Sequence, residues 1–200
     1  MVKLNNGTKY ISNKLFRECT SLKSIDIPNS VTKIGEEAFE GCTSLQNIDI
    51  PNSVTELGHK AFKGCTSLQN IDIPNSVTII GERAFEGCTS LKSINIPDSV
   101  TKIGIRAFEG CTSLEDINIP DRVTEIGHKA FEGCTSLKSI DIPNSITKIG
   151  SYIINGCDSI RNVHFRVKNL DNVMIDDNAF GDYVAYHGVG RLYFSYDRKE

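Results

Sequence analysis

Seven cysteines are the first residues that could do chemistry, and their spacing limits which chemistry is open. Cys19, Cys42, Cys65, Cys88, Cys111, Cys134 and Cys157 recur every 23 residues, all at one place of a repeating unit. If each unit is one coil of a stack, neighbouring thiols lie at the ~4.8 Å spacing of adjacent strands, beyond the ~3.8 Å that Cβ atoms of a disulfide prefer. No Cys-x-x-Cys pair is present to hold zinc in a tetrahedral site. A ladder of free thiols packed as small apolar groups is the expectation. His59 and His128 share a repeat place and read as surface residues, while His164, His187 and Asp182 fall outside the period and match no nucleophile, metal or phosphate-loop motif. Catalysis needs unlike groups converging on one point, whereas a repeat presents the same group again and again. The expectation is no enzyme, no cofactor and no metal.

The elements that position these residues follow from the period itself, because a fixed interval between 20 and 50 residues is the mark of a solenoid. In the unit that begins at Cys19, Leu22-Lys23-Ser24-Ile25-Asp26-Ile27 ends in alternating β-branched and polar residues, which predicts a strand with Ile25 and Ile27 inward. Pro28 stops it, and Pro-Asn-Ser turns the chain. Val31-Thr32-Lys33-Ile34 alternates again as a short extended piece, ended by Gly35. Glu36 to Gly41 predicts one tight 3-10 or helical turn with Ala38 and Phe39 inward. One coil buries too little to offset the ordering of 23 residues, so the units must stack.

Six near-identical units fill residues 19–156. Residues 1–18 form a degenerate opening repeat in which Val2 and Leu4 align with Ile25 and Ile27, Ile11 with Ile34, and Leu15-Phe16 with Ala38-Phe39. Residues 157–200 form a closing repeat and cap: Ile160, Val163 and Phe165 take the Leu, Ile and Ile places, Ala179-Phe180 follows a three-residue insertion, and Leu192-Tyr193-Phe194 reads as a last strand. Aromatic residues gather there (Phe165, Phe180, Tyr183, Tyr186, Tyr193, Phe194, Tyr196), as a cap over an open layer requires. All three regions are expected to make one solenoid domain.

Stacking turns every variable position into a column. On the predicted strand face one column runs Ser24, Asn47, Asn70, Ser93, Asp116, Ser139, and beside it runs Asp26, Asp49, Asp72, Asn95, Asn118, Asp141. From these, Asp26, Asn47, Asp49, Asn70, Asp72, Asn95, Asp116, Asn118 and Asp141 are the candidate partner-binding residues. Stacked carboxylates repel weakly in water, a cost that a basic partner or a cation could relieve. The column Lys33, Glu56, Ile79, Lys102, Glu125, Lys148 largely alternates sign and predicts cross-coil pairs; Glu37, Lys60, Arg83, Arg106, Lys129 reads as a short basic stripe facing solvent. Ile79 and Ile105 stand where most units are polar. Net charge is −3 with signs interspersed, which gives no basic footprint for nucleic acid. Nothing approaches eighteen consecutive apolar residues, so no membrane insertion is expected, and residues 1–7 lack the pattern of an export signal, which leaves the compartment open.

The unit Leu-x-x-Ile-x-Ile-Pro-x-Ser-Val-Thr-x-Ile-Gly-x-x-Ala-Phe-x-Gly-Cys-Thr-Ser resembles the BspA-type leucine-rich repeat, over about residues 1 to 180. It departs from general leucine-rich repeats in placing Ser30, Ser53, Ser76, Ser99 and Ser145, with Arg122 the exception, where those carry asparagine. The resemblance implies a leucine-rich-repeat solenoid, a right-handed superhelix of stacked coils with one parallel strand ladder curved inward. It also implies protein binding or adhesion at a bacterial or protist cell surface, with a host extracellular-matrix or surface protein as the kind of partner. The family has no invariant binding residues, so no role is carried over to any position. The expectation is a monomeric, non-catalytic interaction module. Its rivals are a spacer within a larger surface protein and a cation-dependent binder using the Asp/Asn column.

Overall fold

The computed structural model describes residues 2–166 and 170–180 together with the strand Leu192–Phe194. Each 23-residue unit closes one coil with three sides, and the coils stack in register along the chain. Two sides are parallel strand ladders. The first comprises Val2–Lys3, Ile25–Asp26, Asn70–Asp72, Ser93–Asn95, Ser139–Ile142, Asn162–Phe165 and Leu192–Phe194. The short extended piece pairs across coils as well, giving a second ladder of Tyr10–Ile11, Lys33–Ile34, Glu56–Leu57, Ile79–Ile80, Lys102–Ile103, Glu125–Ile126, Lys148–Ile149 and Met174–Ile175. The second ladder is the more complete, because Asn47–Asp49 and Asp116–Asn118 take no strand pairing on the first side.

The third side corrects the expected helical turn over 36–41. Glu37 and Gly41 adopt φ of 55° and 72°, in the left-handed region, which breaks any helical run. The amides of Glu37, Phe39 and Gly41 then point along the stack and donate to His59, Ala61 and Lys63 carbonyls at 2.9, 2.8 and 2.7 Å. Lys60, Arg83, Arg106 and Lys129 repeat the Glu37 geometry coil after coil. A turn that would be a modest helix alone becomes a third cross-coil hydrogen-bond ladder. Among the described residues there is no helix, so none is long and apolar enough to cross a membrane.

Side-chain columns fill the interior. Phe16, Phe39, Phe62, Phe85, Phe108 and Phe131 stack with ring centroids 5.3–5.5 Å apart and planes within 10°. Six buried cysteines run beside them, all thiols free, and each donates to the phenylalanine carbonyl 26 residues earlier; Cys65 to Phe39 is 3.1 Å. Cys19, in the opening coil, is exposed. The serine column works the same way: Ser53, Ser76, Ser99 and Ser145 donate to valine carbonyls of the preceding coil. Arg122, the exception in this column, makes no such bond.

The ends follow the sequence alignment. Val2 pairs with Ile25 and Ile11 with Ile34, and Met174 pairs with Lys148, an offset of 26 that registers the three-residue insertion. Phe165 and Phe180 are buried and meet edge to face at 5.6 Å. Tyr183, Tyr186, Tyr196, Asp182 and His187 lie outside the described residues. Arg166, in the place of the repeat's proline, reaches across a whole coil to Asp121 at 2.6 Å and to the Ile119 carbonyl at 3.0 Å.

Coils approach too closely for a side chain at the corner glycines. A Cβ on Gly127 would lie 2.6 Å from Ile105 N and 2.7 Å from Gly104 C, whereas on Gly81 the nearest atom would be 3.4 Å away. Gly127→Ala is therefore expected to destabilise by roughly 1–3 kcal/mol, through overpacking against backbone, and Gly81→Ala by less than about 1 kcal/mol. Paired urea melts check this; equal losses would show that the two corners are packed alike.

Candidate functional site

The strand face displays its polar residues because alternation sends every isoleucine inward and its neighbours out. All nine candidates, Asp26, Asn47, Asp49, Asn70, Asp72, Asn95, Asp116, Asn118 and Asp141, are exposed there. Register aligns Asp72 with Asn95 and Asn70 with Ser93, and the Ser93 hydroxyl donates to Asn70 Oδ1 at 3.1 Å. A shallow cleft of about 230 Å³ opens between Asp26 and Asp49, floored by Ile25, Ile27 and Ile48.

Two residues of this face escaped the sequence reading. Lys3 sits opposite Asp26, with Nζ 3.7 Å from Oδ2, and His164 sits opposite Asp141, with Nδ1 3.5 Å from Oδ1. His164 is therefore not outside the period: adding 23 to Asp141 reaches it, and that arithmetic was the available signal. The acidic column is thus closed at each end by a basic group. Asp49 and Asp72 between them have no ion pair among the described residues. Three residues before each stands Gln46 or Gln69, where Lys23, Lys92 and Lys138 stand in other coils, so no cation precedes them in their own strands.

The other two sides are self-neutralised. On the second ladder Lys33 meets Glu56 at 2.7 Å, and Glu125 is shared by Lys102 at 2.9 Å and Lys148 at 3.6 Å. The Lys102 hydrogen bond holds the Glu125 carboxyl below its usual range. The expected basic stripe is not a free cationic surface. Lys60 bonds Glu37 at 2.9 Å, Arg106 meets Glu109 at 3.3 Å and Lys129 meets Glu132 at 3.0 Å. The turn brings Arg106 and Lys129 within reach of glutamates three residues on and Lys60 within reach of Glu37 one coil back, so the charges cancel within the side.

Chemically, the strand face is a flat array of hydrogen-bond acceptors and amide groups with net negative charge. Its like groups lie in lines, one per coil. Among the described residues no three His, Cys, Asp or Glu side chains gather where a metal ion could be held. His59 Nδ1 accepts from the Glu82 amide at 3.1 Å, and His128 packs edge to face on Tyr152.

A family model described as BspA type Leucine rich repeat region matches in six copies, over residues 1–113 and 55–184. Among solved structures, a leucine-rich repeat protein from Bacteroides ovatus is similar at 30% identity and TM-score 0.71, over 86% of this chain and 50% of that one. The T. pallidum leucine rich repeat protein is similar at 34% identity and TM-score 0.73, over 80% and 77%. A leucine rich cell surface protein from Faecalibacterium prausnitzii is similar at 26% identity and TM-score 0.64, over 88% and 62%. The chain spans half the length of the Bacteroides ovatus protein. A search of curated proteins finds none that matches.

Proposed function

Since the chain belongs to the BspA-type leucine-rich repeat family, whose members serve as interaction or surface modules, we propose that it is a non-catalytic binding module that holds a protein partner on its strand face. The observation that carries this reading is the contrast between the sides. Charges are paired within the second ladder and the turn side, whereas Asp49 and Asp72 stand exposed on the strand surface with no ion pair among the described residues. A partner presenting lysine or arginine fits that surface, and the amides of Asn47 and Asn70 add donors as well as acceptors. A cell-surface setting is supported by the Faecalibacterium prausnitzii relative.

A double reversal, Asp49→Lys with Asp72→Lys, tests the reading. Both side chains are exposed and make no ion pair, so the melting temperature stays within a degree or two. Binding to extracellular-matrix or cell-surface proteins captured by the wild type falls roughly thirtyfold or more, about 2 kcal/mol. Undiminished capture by the reversed protein would place the contact on another side. A second reading, a spacer within a longer surface protein, is favoured by the half-length match to the Bacteroides ovatus structure. It predicts no capture by either protein.

A further inference from the structure

The second ladder is continuous except at one junction, between the coil of residues 42–64 and that of 65–87. Elsewhere Thr55, Thr101, Thr124 and Thr147 amides donate to the threonine carbonyl one coil back at 2.8–2.9 Å, and Gly58, Gly104, Gly127 and Gly150 amides donate to the preceding coil at the same distances. Thr78 and Gly81 make neither bond. The hydroxyls of Thr55, Thr101, Thr124 and Thr147 also donate back one coil, and that of Thr78 does not. The sheet divides there into three strands and five. A cleft of about 620 Å³ opens in the gap, lined by Leu57, Gly58, His59, Thr78, Ile79 and Gly81.

The strand face gives this junction no strand pairing either, since Asn47–Asp49 is unpaired against Asn70–Asp72; Gln69 N to Gln46 O at 3.2 Å spans its edge, and at the corner the Ser76 hydroxyl donates to the Val54 carbonyl. Only the turn side is fully closed: Lys60, Phe62 and Gly64 amides donate to Glu82, Ala84 and Glu86 at 2.8, 2.9 and 2.7 Å. His59 Nδ1 adds its bond to the Glu82 amide beside that closed side.

Two residues account for the opening. Leu57 replaces the isoleucine of every other coil in this ladder, and its branch, one carbon further out, leaves it 8% exposed where Ile34, Ile80, Ile103, Ile126 and Ile149 are 0%. Ile79 replaces a charge, so Glu56 pairs only backward to Lys33 and Lys102 only forward to Glu125; among the described residues no ion pair clips the junction on this ladder, and the one that crosses it, Lys63 to Glu86 at 3.2 Å, lies on the closed turn side.

We propose that this junction is a hinge, at which residues 2–57 and 78–175 rock as two stiff blocks about the turn-side backbone. The solenoid then changes curvature at one place, beside Asp49 and Asp72, while each block keeps its shape. The hinge stands on backbone bonding alone and does not depend on what the strand face binds.

Hydrogen exchange on the full chain compares identical residue types one coil apart. Thr78 and Gly81 amides are expected to exchange at least about tenfold faster than Thr101 and Gly104. Residual dipolar couplings should need separate alignment tensors for the two blocks. Leu57→Ile with Ile79→Lys, which restores the repeat at both places, should bring the exchange ratio near one and let a single tensor fit. Equal protection of the two pairs in the wild type, or one tensor for the wild-type chain, overturns the hinge. A ratio that stays high in the folded double variant overturns its assignment to these two residues.

Discussion

Phe85→Ala is expected to lower the stability of the folded chain by about 3–5 kcal/mol, the range for emptying a closed aromatic site. Phe85 is fully buried and lies between Phe62 at 5.5 Å and Phe108 at 5.4 Å, so the substitution removes two stacked contacts and leaves a void between coils. Three backbone ladders toward the coil of Phe108, and the turn-side ladder toward that of Phe62, resist collapse around it. Phe16 offers the control, because it ends the column, has one ring neighbour at 5.3 Å and is only half-buried. Phe16→Ala should cost about 1–2 kcal/mol, as one lost aromatic contact and partial burial imply. Urea melts of both variants decide the matter. Similar losses at the two positions would mean that the aromatic column does not tie the coils together.

The second large effect is alkaline unfolding. Burial pushes the Cys42 thiol up to about 11 and that of Cys88 up to about 12. It carries Cys65 and Cys111 well above the ordinary value of 9.0. A raised value means that the fold favours the neutral thiol, so the folded chain binds more protons than the unfolded one once pH passes the unfolded value. Stability is therefore fully present below about pH 9 and is lost as pH rises toward 11 to 12. Each such thiol contributes a slope of about 1.4 kcal/mol per pH unit in that window, so four together give about 6 kcal/mol per unit. Thermal melts from pH 8 to pH 11 should fall steeply past pH 9. Cys88→Ala should flatten the decline by about a quarter, which separates the thiols from tyrosine and lysine titrating in the same range. A decline unchanged by Cys88→Ala would show that other groups govern it.

How much of this was legible in the sequence differs by side of the coil. The strand face could be read residue by residue, because period-2 alternation fixes which side chains point out, and stacking in register converts one unit's answer into a column. The turn side could not. Nothing in the types Glu37, Lys60, Arg83, Arg106 and Lys129 signals a left-handed backbone, since the carbonyls of neighbouring coils impose it. The same conformation folds Lys60 and Arg106 onto glutamates, so a stripe that reads as basic is neutral in three dimensions. The junction at Leu57 and Ile79 lay between these extremes. Ile79 is visible as an exception in its column, but two conservative-looking departures meet across one gap only when the coils are stacked. Arg166 illustrates the same limit, since its partner Asp121 lies two coils away in a place no local pattern connects.

The directed side-chain bonds give the molecule a grammar of construction. Ser53, Thr55 and Cys65 each hand a hydrogen to an oxygen laid down earlier in the chain, and their counterparts do likewise through the stack. As the polypeptide leaves the ribosome, every newly made coil meets a platform whose oxygens already wait. Trimming from the C-terminal end strips donors from oxygens that can turn to water. Trimming from the other end leaves interior hydroxyls and a thiol with nothing to point at. The turn-side amides run the other way, those of Glu37, Phe39 and Gly41 donating to the coil ahead, so the two ends bare different unmet groups: amides and carbonyls at the C-terminal end, hydroxyls and a thiol at the other.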